Sequence, residues 1–421
     1  MAPSRSLADF ARCMPFNSPD HQFHDELEAF IVNYFEQRHN SDPSLEDKID
    51  SLVAASKKKC WEMSGRETIL EMAQHLARNC HSLQLKAEVT VRQSVIMRLA
   101  GNIKGSQQVI EDCLSGLRDE SVDLHVAALF ISQASNHVYQ FCFSIAHEQI
   151  KNWMPFRDIP GKQEQLLWDQ ISCIGRILRG QGQFMEAKRC FETCLGSPGL
   201  PDAKAFLMKS NLADLYCELD YSEGPGNSYL PRAAEMVGAA VEELRRSSRQ
   251  HLKGYRRLLL SFVEVRMRQG QYREAGDNVT ELLAIYGNLG EIDIVDRLGH
   301  VRTLIAFARL SLFAQDALRR WSDVLAWNKL YNPLEEEVFT CCVAYHAISN
   351  ALNALGNTLE SFENFCKATE ISRRRSCQFL IPGVGTYIYD QVLQNTVQRE
   401  QTVSANDQSA SSLDRKPGVK L

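Results

Sequence analysis

Gly182-Gln-Phe-Met-Glu-Ala187 and Gly270-Gln-Tyr-Arg-Glu-Ala275 are nearly the same hexapeptide, 88 residues apart. Glycine, amide, aromatic, acid and alanine recur in register. Looser copies of the opening triplet stand at Gly101-Asn102-Ile103 and Gly356-Asn357-Thr358. The spacings from Gly101 to Gly182, Gly182 to Gly270 and Gly270 to Gly356 are 81, 88 and 86 residues. A motif that returns at such intervals marks a repeat architecture, and its period must be understood before any other feature.

The flanks explain what the motif punctuates. Before Gly182 the apolar residues Leu167, Ile171, Ile174 and Leu178 fall three or four apart, and after it come Phe184, Ala187, Phe191 and Cys194. That period places them on one face of a helix on each side. The same holds for Leu259, Val263 and Met267 before Gly270, with Tyr272, Ala275, Val279, Leu282 and Tyr286 after it. Around Gly356 the stripe is Tyr345, Ile348, Leu352 and Leu355, then Leu359, Phe362 and Cys366. Glycine takes the left-handed conformation that ends one helix and lets the next fold back. Each unit is therefore read as a helix hairpin. The spacing is about twice one hairpin repeat, so one hairpin without the motif is expected in each gap. These are residues 121–150 turning near Asn136, residues 203–247 turning through Asp220 to Ser228, and residues 292–331 turning near Phe313.

Composition agrees with long helices. Of 421 residues, 23 are glycine and 13 proline, together about 9% against roughly 12% in ordinary proteins. Apolar residues make up 44% and charged residues 24%, with 47 lysines and arginines against 52 aspartates and glutamates, a net charge of −5. This excludes a wholly disordered chain and gives no electrostatic reason to expect nucleic acid or an anionic membrane as partner. Of thirteen cysteines, many stand singly in apolar stretches, as at Cys113, Cys142, Cys173, Cys217 and Cys366. They read as free thiols of a reducing compartment. The expectation is a soluble cytoplasmic protein, with the nucleus as an alternative. The ending Val419-Lys420-Leu421 departs from a peroxisomal Ser-Lys-Leu signal by its valine.

Residues 22–82 lack the glycine turn and read as an N-terminal helical cap of two or three helices, with Phe23, Leu27, Phe30 and Ile31 on one face and a start signal at Asp42 to Glu46. Residues 1–21 are expected to be flexible. The repeat region is assigned to 83–398, with a terminal helix at 384–398, and the polar stretch 399–421 is expected to be disordered.

The residues that carry the motif resemble the tetratricopeptide repeats. Gly182, Phe184, Ala187 and Phe191 match that family's second-helix pattern, and Gly175 falls where it keeps a small residue. Gly270, Tyr272 and Ala275 match too, while Val279 replaces the later aromatic and Val263 the small residue. The turn at Gly356 keeps Phe365 and Ala368 but puts Ser361 in the alanine place. The whole looks most like divergent helical-repeat regions of fungal signalling and scaffold proteins. The resemblance implies an all-α, right-handed α-solenoid of about seven stacked hairpins, capped at its N-terminus.

The search for chemistry yields little. There is no phosphate-binding Walker loop, no His-Glu-x-x-His, no paired Cys-x-x-Cys and no Gly-x-Ser-x-Gly. His21 and His24 beside acids read as a helix start, and Cys80-His81 with His75 lacks a second ligand pair. Cys341-Cys342 near His346 could pair a nucleophile with a base, but on a helix these residues are simply neighbours. The groups Arg245-Arg246, Arg256-Arg257, Arg319-Arg320 and Arg373-Arg374-Arg375 read as charged helix ends. No catalytic residue, cofactor or metal is expected.

The resemblance further implies that first helices of successive hairpins line a concave groove that holds a peptide or partner helix. Carried over, it places Arg176, Arg179, Arg268, His346, Asn350 and Asn353 on or near that face as partner-binding residues. The family's clamp for a chaperone's terminal carboxylate needs lysines and asparagines in successive repeats. Only Asn350 sits suitably, so chaperone binding is not expected. The function implied is a non-enzymatic adaptor for another protein or peptide, with self-association possible. Two alternatives stay open: an enzyme or accessory protein of a biosynthetic pathway with a pocket inside the solenoid, and a regulatory or sensor module of a signalling system.

Overall fold

The computed structural model describes residues 21–38, 43–58, 62–116, 124–140, 142–152, 163–224, 227–290, 293–331 and 338–374. Among them are seventeen α-helices and no strand. They are α1 (His21–Glu36), α2 (Leu45–Ser56), α3 (Met63–Arg78), α4 (Leu83–Ala100), α5 (Ile103–Gly116), α6 (Leu124–Tyr139), α7 (Phe143–Asn152), α8 (Gln163–Gly180) and α9 (Phe184–Leu195). Then follow α10 (Asp202–Glu223), α11 (Tyr229–Arg246), α12 (Lys253–Arg268), α13 (Tyr272–Gly287), α14 (Ile294–Arg309), α15 (Ala314–Tyr331), α16 (Val338–Ala354) and α17 (Thr358–Arg374). Helices α4 to α17 order as seven hairpins, which makes the chain an all-α solenoid of the expected class. The expected terminal helix at 384–398 and the tail beyond it lie outside the described residues, as do residues 1–20.

The chain divides into two compact units, one of Met1–Ile177 with Leu289–Asp296, the other of Leu178–Asn288 with Arg297–Leu421. In the first unit, α2 opens on a reciprocal cap. The Ser44 hydroxyl accepts from the Asp47 N–H (3.1 Å), and the Asp47 carboxylate accepts from the Ser44 N–H (3.0 Å). Two backbone donors that the helix leaves unsatisfied are thereby paired. Leu27, Ile31 and Phe35 of α1 join Ile49, Leu52 and Val53 of α2, Ile69, Met72 and Ala73 of α3 and Val89 of α4 in one core. The N-terminal helices thus share their core with the first hairpin. Phe30 packs at its edge, and the Phe23 side chain lies outside the described residues.

In both units a first helix packs on its own second helix and on the next first helix: α4 touches α5 and α6, and α10 touches α11 and α12. The four motif glycines supply the turns. Gly101, Gly182, Gly270 and Gly356 have φ of 93°, 77°, 76° and 83°. After each, the amide residue's N–H reaches back across the turn: Asn102 to Met97 O (2.8 Å), Gln183 to Leu178 O (2.9 Å), Gln271 to Arg266 O (2.9 Å) and Asn357 to Leu352 O (2.9 Å). This six-to-one bond closes a helix on a left-handed residue.

Five residues past each glycine stands a small, buried side chain: Ser106, Ala187, Ala275 and Ser361. In the two serine cases it meets a serine seven residues before the glycine. Ser94 and Ser106 hydroxyls lie 2.8 Å apart, those of Ser349 and Ser361 3.1 Å, and Ser106 and Ser361 donate back to the carbonyls of Ser94 and Ser349 at 2.8 Å. These pairs let two helices approach closely while their buried hydroxyls stay satisfied.

The turn expected near Asn136 is a correction. Asn136 lies inside α6, fully buried, and the chain turns after Tyr139, where the Cys142 N–H donates to His137 O (2.8 Å). The amide that resembles a turn residue is instead spent on bonds to neighbouring helices. The other two turns fall where expected, at Gly224 (φ 84°) and between Arg309 and Ala314.

Helix α11 ends with the same six-to-one bond, Arg249 N–H to Leu244 O (2.9 Å), but on Ser248 at φ 54°. A non-glycine residue there costs about 1–2 kcal/mol. Ser248→Gly should therefore raise the unfolding free energy by up to about 1 kcal/mol in urea denaturation. Gly270→Ala should lower it by about 1–2 kcal/mol through the backbone alone, because an added Cβ meets nothing within 4 Å.

Candidate functional site

In the second unit, α10 is buried without a break from Leu212 to Asp220, including the acids Asp214, Glu218 and Asp220. Buried charges require partners, and arginines supply them. Arg179 reaches Asp214 with Nη1 (3.6 Å) and Glu218 with Nη2 (3.8 Å), and Arg302 reaches Asp214 at 3.2 Å. Arg268 bonds Asp220 at 2.6 Å, and Arg309 holds both oxygens of Glu264 with one nitrogen (3.0 and 2.8 Å). Burial pushes the Asp214 carboxyl up, but Arg302 and Arg179 more than offset it and leave it below the usual carboxylate range. Of the sequence-predicted partner-binding residues, Arg179 and Arg268 are therefore engaged in pairs that tie helices together.

The first unit treats its arginines differently. Arg98 near the end of α4 is 9% exposed. Its Nη1 donates to Ser132 O (3.1 Å), Ser132 Oγ (3.2 Å) and Asn136 Oδ1 (2.7 Å) on α6. The guanidinium carbon of Arg98 lies 5.9 Å from the Tyr139 ring centre, and that of the predicted residue Arg176 5.2 Å from the same centre. Sequence reasoning found Arg176 and missed Arg98 and Tyr139. A signal was present: Arg98 precedes Gly101 by the same three residues by which Arg179 precedes Gly182.

The remaining predicted residues lie on α16. His346 is buried with its ring edge-on to Phe365 (5.6 Å), and burial lowers its pKa. Asn350 is half-buried and Asn353 exposed. The thiol of Cys342 donates to Ala368 O (3.5 Å), and Cys341 accepts from Asn328 (3.3 Å), both contacts of packing. Burial also pushes the Cys173 and Cys217 thiols up, away from the thiolate a nucleophile needs. Cys80 donates to Glu46 (3.4 Å). No group of three or more His, Cys, Asp or Glu among the described residues could hold a metal, and no helix among them is long and apolar enough to cross a membrane.

No protein-family model matches the chain, and no curated protein does. Solved structures do match. The apo form of the quorum sensor NprR from B. thuringiensis has 11% identity and a TM-score of 0.53, over 87% of this chain and 98% of that one. The apo form of RapI has 12% identity and a TM-score of 0.48, over 88% and 97%. A human IFIT1 dimer with PPP-AAAA has 12% identity and a TM-score of 0.48, over 88% and 84%. The fold is a tetratricopeptide-like helical repeat.

Two outcomes are expected. Arg309→Met removes an arginine partner from Glu264, which is only 2% exposed, and should lower the unfolding free energy by about 3 kcal/mol in chemical denaturation. His300, stacked on Tyr286 (5.1 Å) and beside Trp327 (5.0 Å), has its pKa lowered by burial, as does His346. The unfolded chain therefore binds protons that the folded one refuses. Stability is complete above the unfolded histidine pKa near 6.5 and is lost as pH falls toward the folded values. Thermal unfolding between pH 7.5 and about 5 should show this decline, and His300→Gln with His346→Gln should flatten it.

Proposed function

We propose that this chain is a non-enzymatic adaptor, a helical-repeat module that holds another protein or a peptide against the first helices of its hairpins. The observation that supports this is the division of charge between those helices. In the second unit Arg179, Arg268, Arg302 and Arg309 are each matched by a carboxylate of the same unit. In the first unit, among the described residues, Arg98 donates to neutral acceptors, and Arg176 rests against an aromatic ring. A face that neutralises its own charge is occupied by itself, whereas guanidinium groups without an internal acid are available to one from outside. Stacked hairpins suit such work because they build a long surface without needing a closed pocket. The free buried thiols fit a cytoplasmic location. A sensor module is the second reading, favoured by the same two arginines, which would hold a small anion as readily as an acidic side chain.

The test is selection of a displayed peptide library on the immobilised intact chain, followed by calorimetry of the enriched peptides. The expected result is a family of sequences with acids at fixed positions and micromolar affinity. Arg176→Glu should weaken them about tenfold or more with its helical circular dichroism unchanged. The absence of any enriched sequence, or equal binding by the variant, would refute the adaptor at this face. Arg179 and Arg268 are left intact because their loss would unbalance buried acids.

A further inference from the structure

Arg98 and Arg179 hold the same place in two hairpins. Each stands three residues before the glycine that ends its helix, and each reaches two residues, four apart, on the following first helix. For Arg179 those two are Asp214 and Glu218. For Arg98 they are Ser132 and Asn136. The second unit answers its arginine with two negative charges, and the first answers with none.

The neighbourhood of Arg98 makes this unusual. The side chain is more than nine-tenths buried, where an uncompensated guanidinium is costly. Its three hydrogen bonds among the described residues all come from Nη1, which leaves the other edge of the fork unspent on them. Among the described residues, neither Arg98 nor Arg176 has a carboxylate within 4 Å. Their guanidinium carbons lie 5.9 and 5.2 Å from the Tyr139 ring centre. Burial is the main cause that weakens the hold of Arg98 on its proton; Tyr139 opposes it and Arg176 adds to it. Two guanidinium forks on one aromatic ring, one anchored by α6 and one half-buried, form the arrangement that binds a planar or tetrahedral oxyanion through paired N–H donors.

We infer that Arg98, Arg176 and Tyr139 form an oxyanion-binding site in the first unit, which takes a carboxylate or phosphate group of the ligand. This rests on the binding-module reading and gives its ligand a chemistry. The acid that Arg179 finds inside the chain, Arg98 finds on the partner.

The intact chain is tested by thermal unfolding in chloride buffer of fixed ionic strength, with added inorganic phosphate, pyrophosphate or succinate. One class should raise the Tm by about 2–4 °C at millimolar concentration. A response to the phosphates identifies a phosphoryl source, and a response to succinate a carboxylate. Asn136→Asp places an internal acid on Arg98 at an existing 2.7 Å contact. It should raise the Tm in chloride and abolish the anion response. Arg176→Gln should weaken that response severalfold, and it decides the matter if Asn136→Asp does not fold. No anion response from the native chain, or one of equal size in the variants, overturns the site. Anion binding without any selected peptide would refute the adaptor and leave the site standing. Selected peptides that bind Asn136→Asp as well as they bind the native chain would do the reverse.

Discussion

The left-handed glycine that closes the first helix in four of the hairpins sets the terms for their packing. A helix that ends on a glycine at φ near 80° can return antiparallel within two residues. The six-to-one bond behind that glycine fixes where the second helix starts, and so which of its residues meets the first helix. That residue must be small. Alanine meets this demand at Ala187 and Ala275, and serine meets it at Ser106 and Ser361 by bonding to the serine opposite. The serine solution adds a cross-helix hydrogen bond, whose directionality apolar packing alone would not supply.

The close approach of the first helices has an electrostatic consequence. Polar residues on α10 and α12 are drawn out of water with the apolar ones, and Asp214, Glu218 and Glu264 survive there because arginines from neighbouring helices answer them. Such pairs contribute little net stability relative to apolar replacements, yet removing one partner is costly.

Much of the fold was legible because helix periodicity and a left-handed glycine are local properties that residues advertise on their own. The four glycine turns and the hairpins follow from spacing and periodicity, and the start of α2 from its capping signal. Asn136 was misplaced for an equally physical reason. Asparagine favours turns when its side chain bonds its own backbone, but here Arg98 and Ser106 claim it from other helices, and no local pattern reveals that. How the arginines of the proposed partner-binding set are engaged was not legible in the sequence. Sequence shows which arginines sit on first helices, and not which of them meet acids on the next one. Arg179 and Arg176 therefore looked alike while the structure separates them. Arg98 was discoverable by sliding one hairpin's register onto another, since it occupies the place of Arg179.

The serine clasp at Ser94 and Ser106 shows how little information a hairpin must carry to fold. One glycine, one pair of small facing residues and a coarse alternation of apolar and polar positions suffice, and even the small pair can change its chemistry. Most positions can then drift through substitutions that keep only volume and polarity, while the backbone path is inherited intact. A lineage built this way loses its written signature long before it loses its shape. It can also convert a self-neutralised helix contact into a recognition surface by exchanging a single acid for its amide.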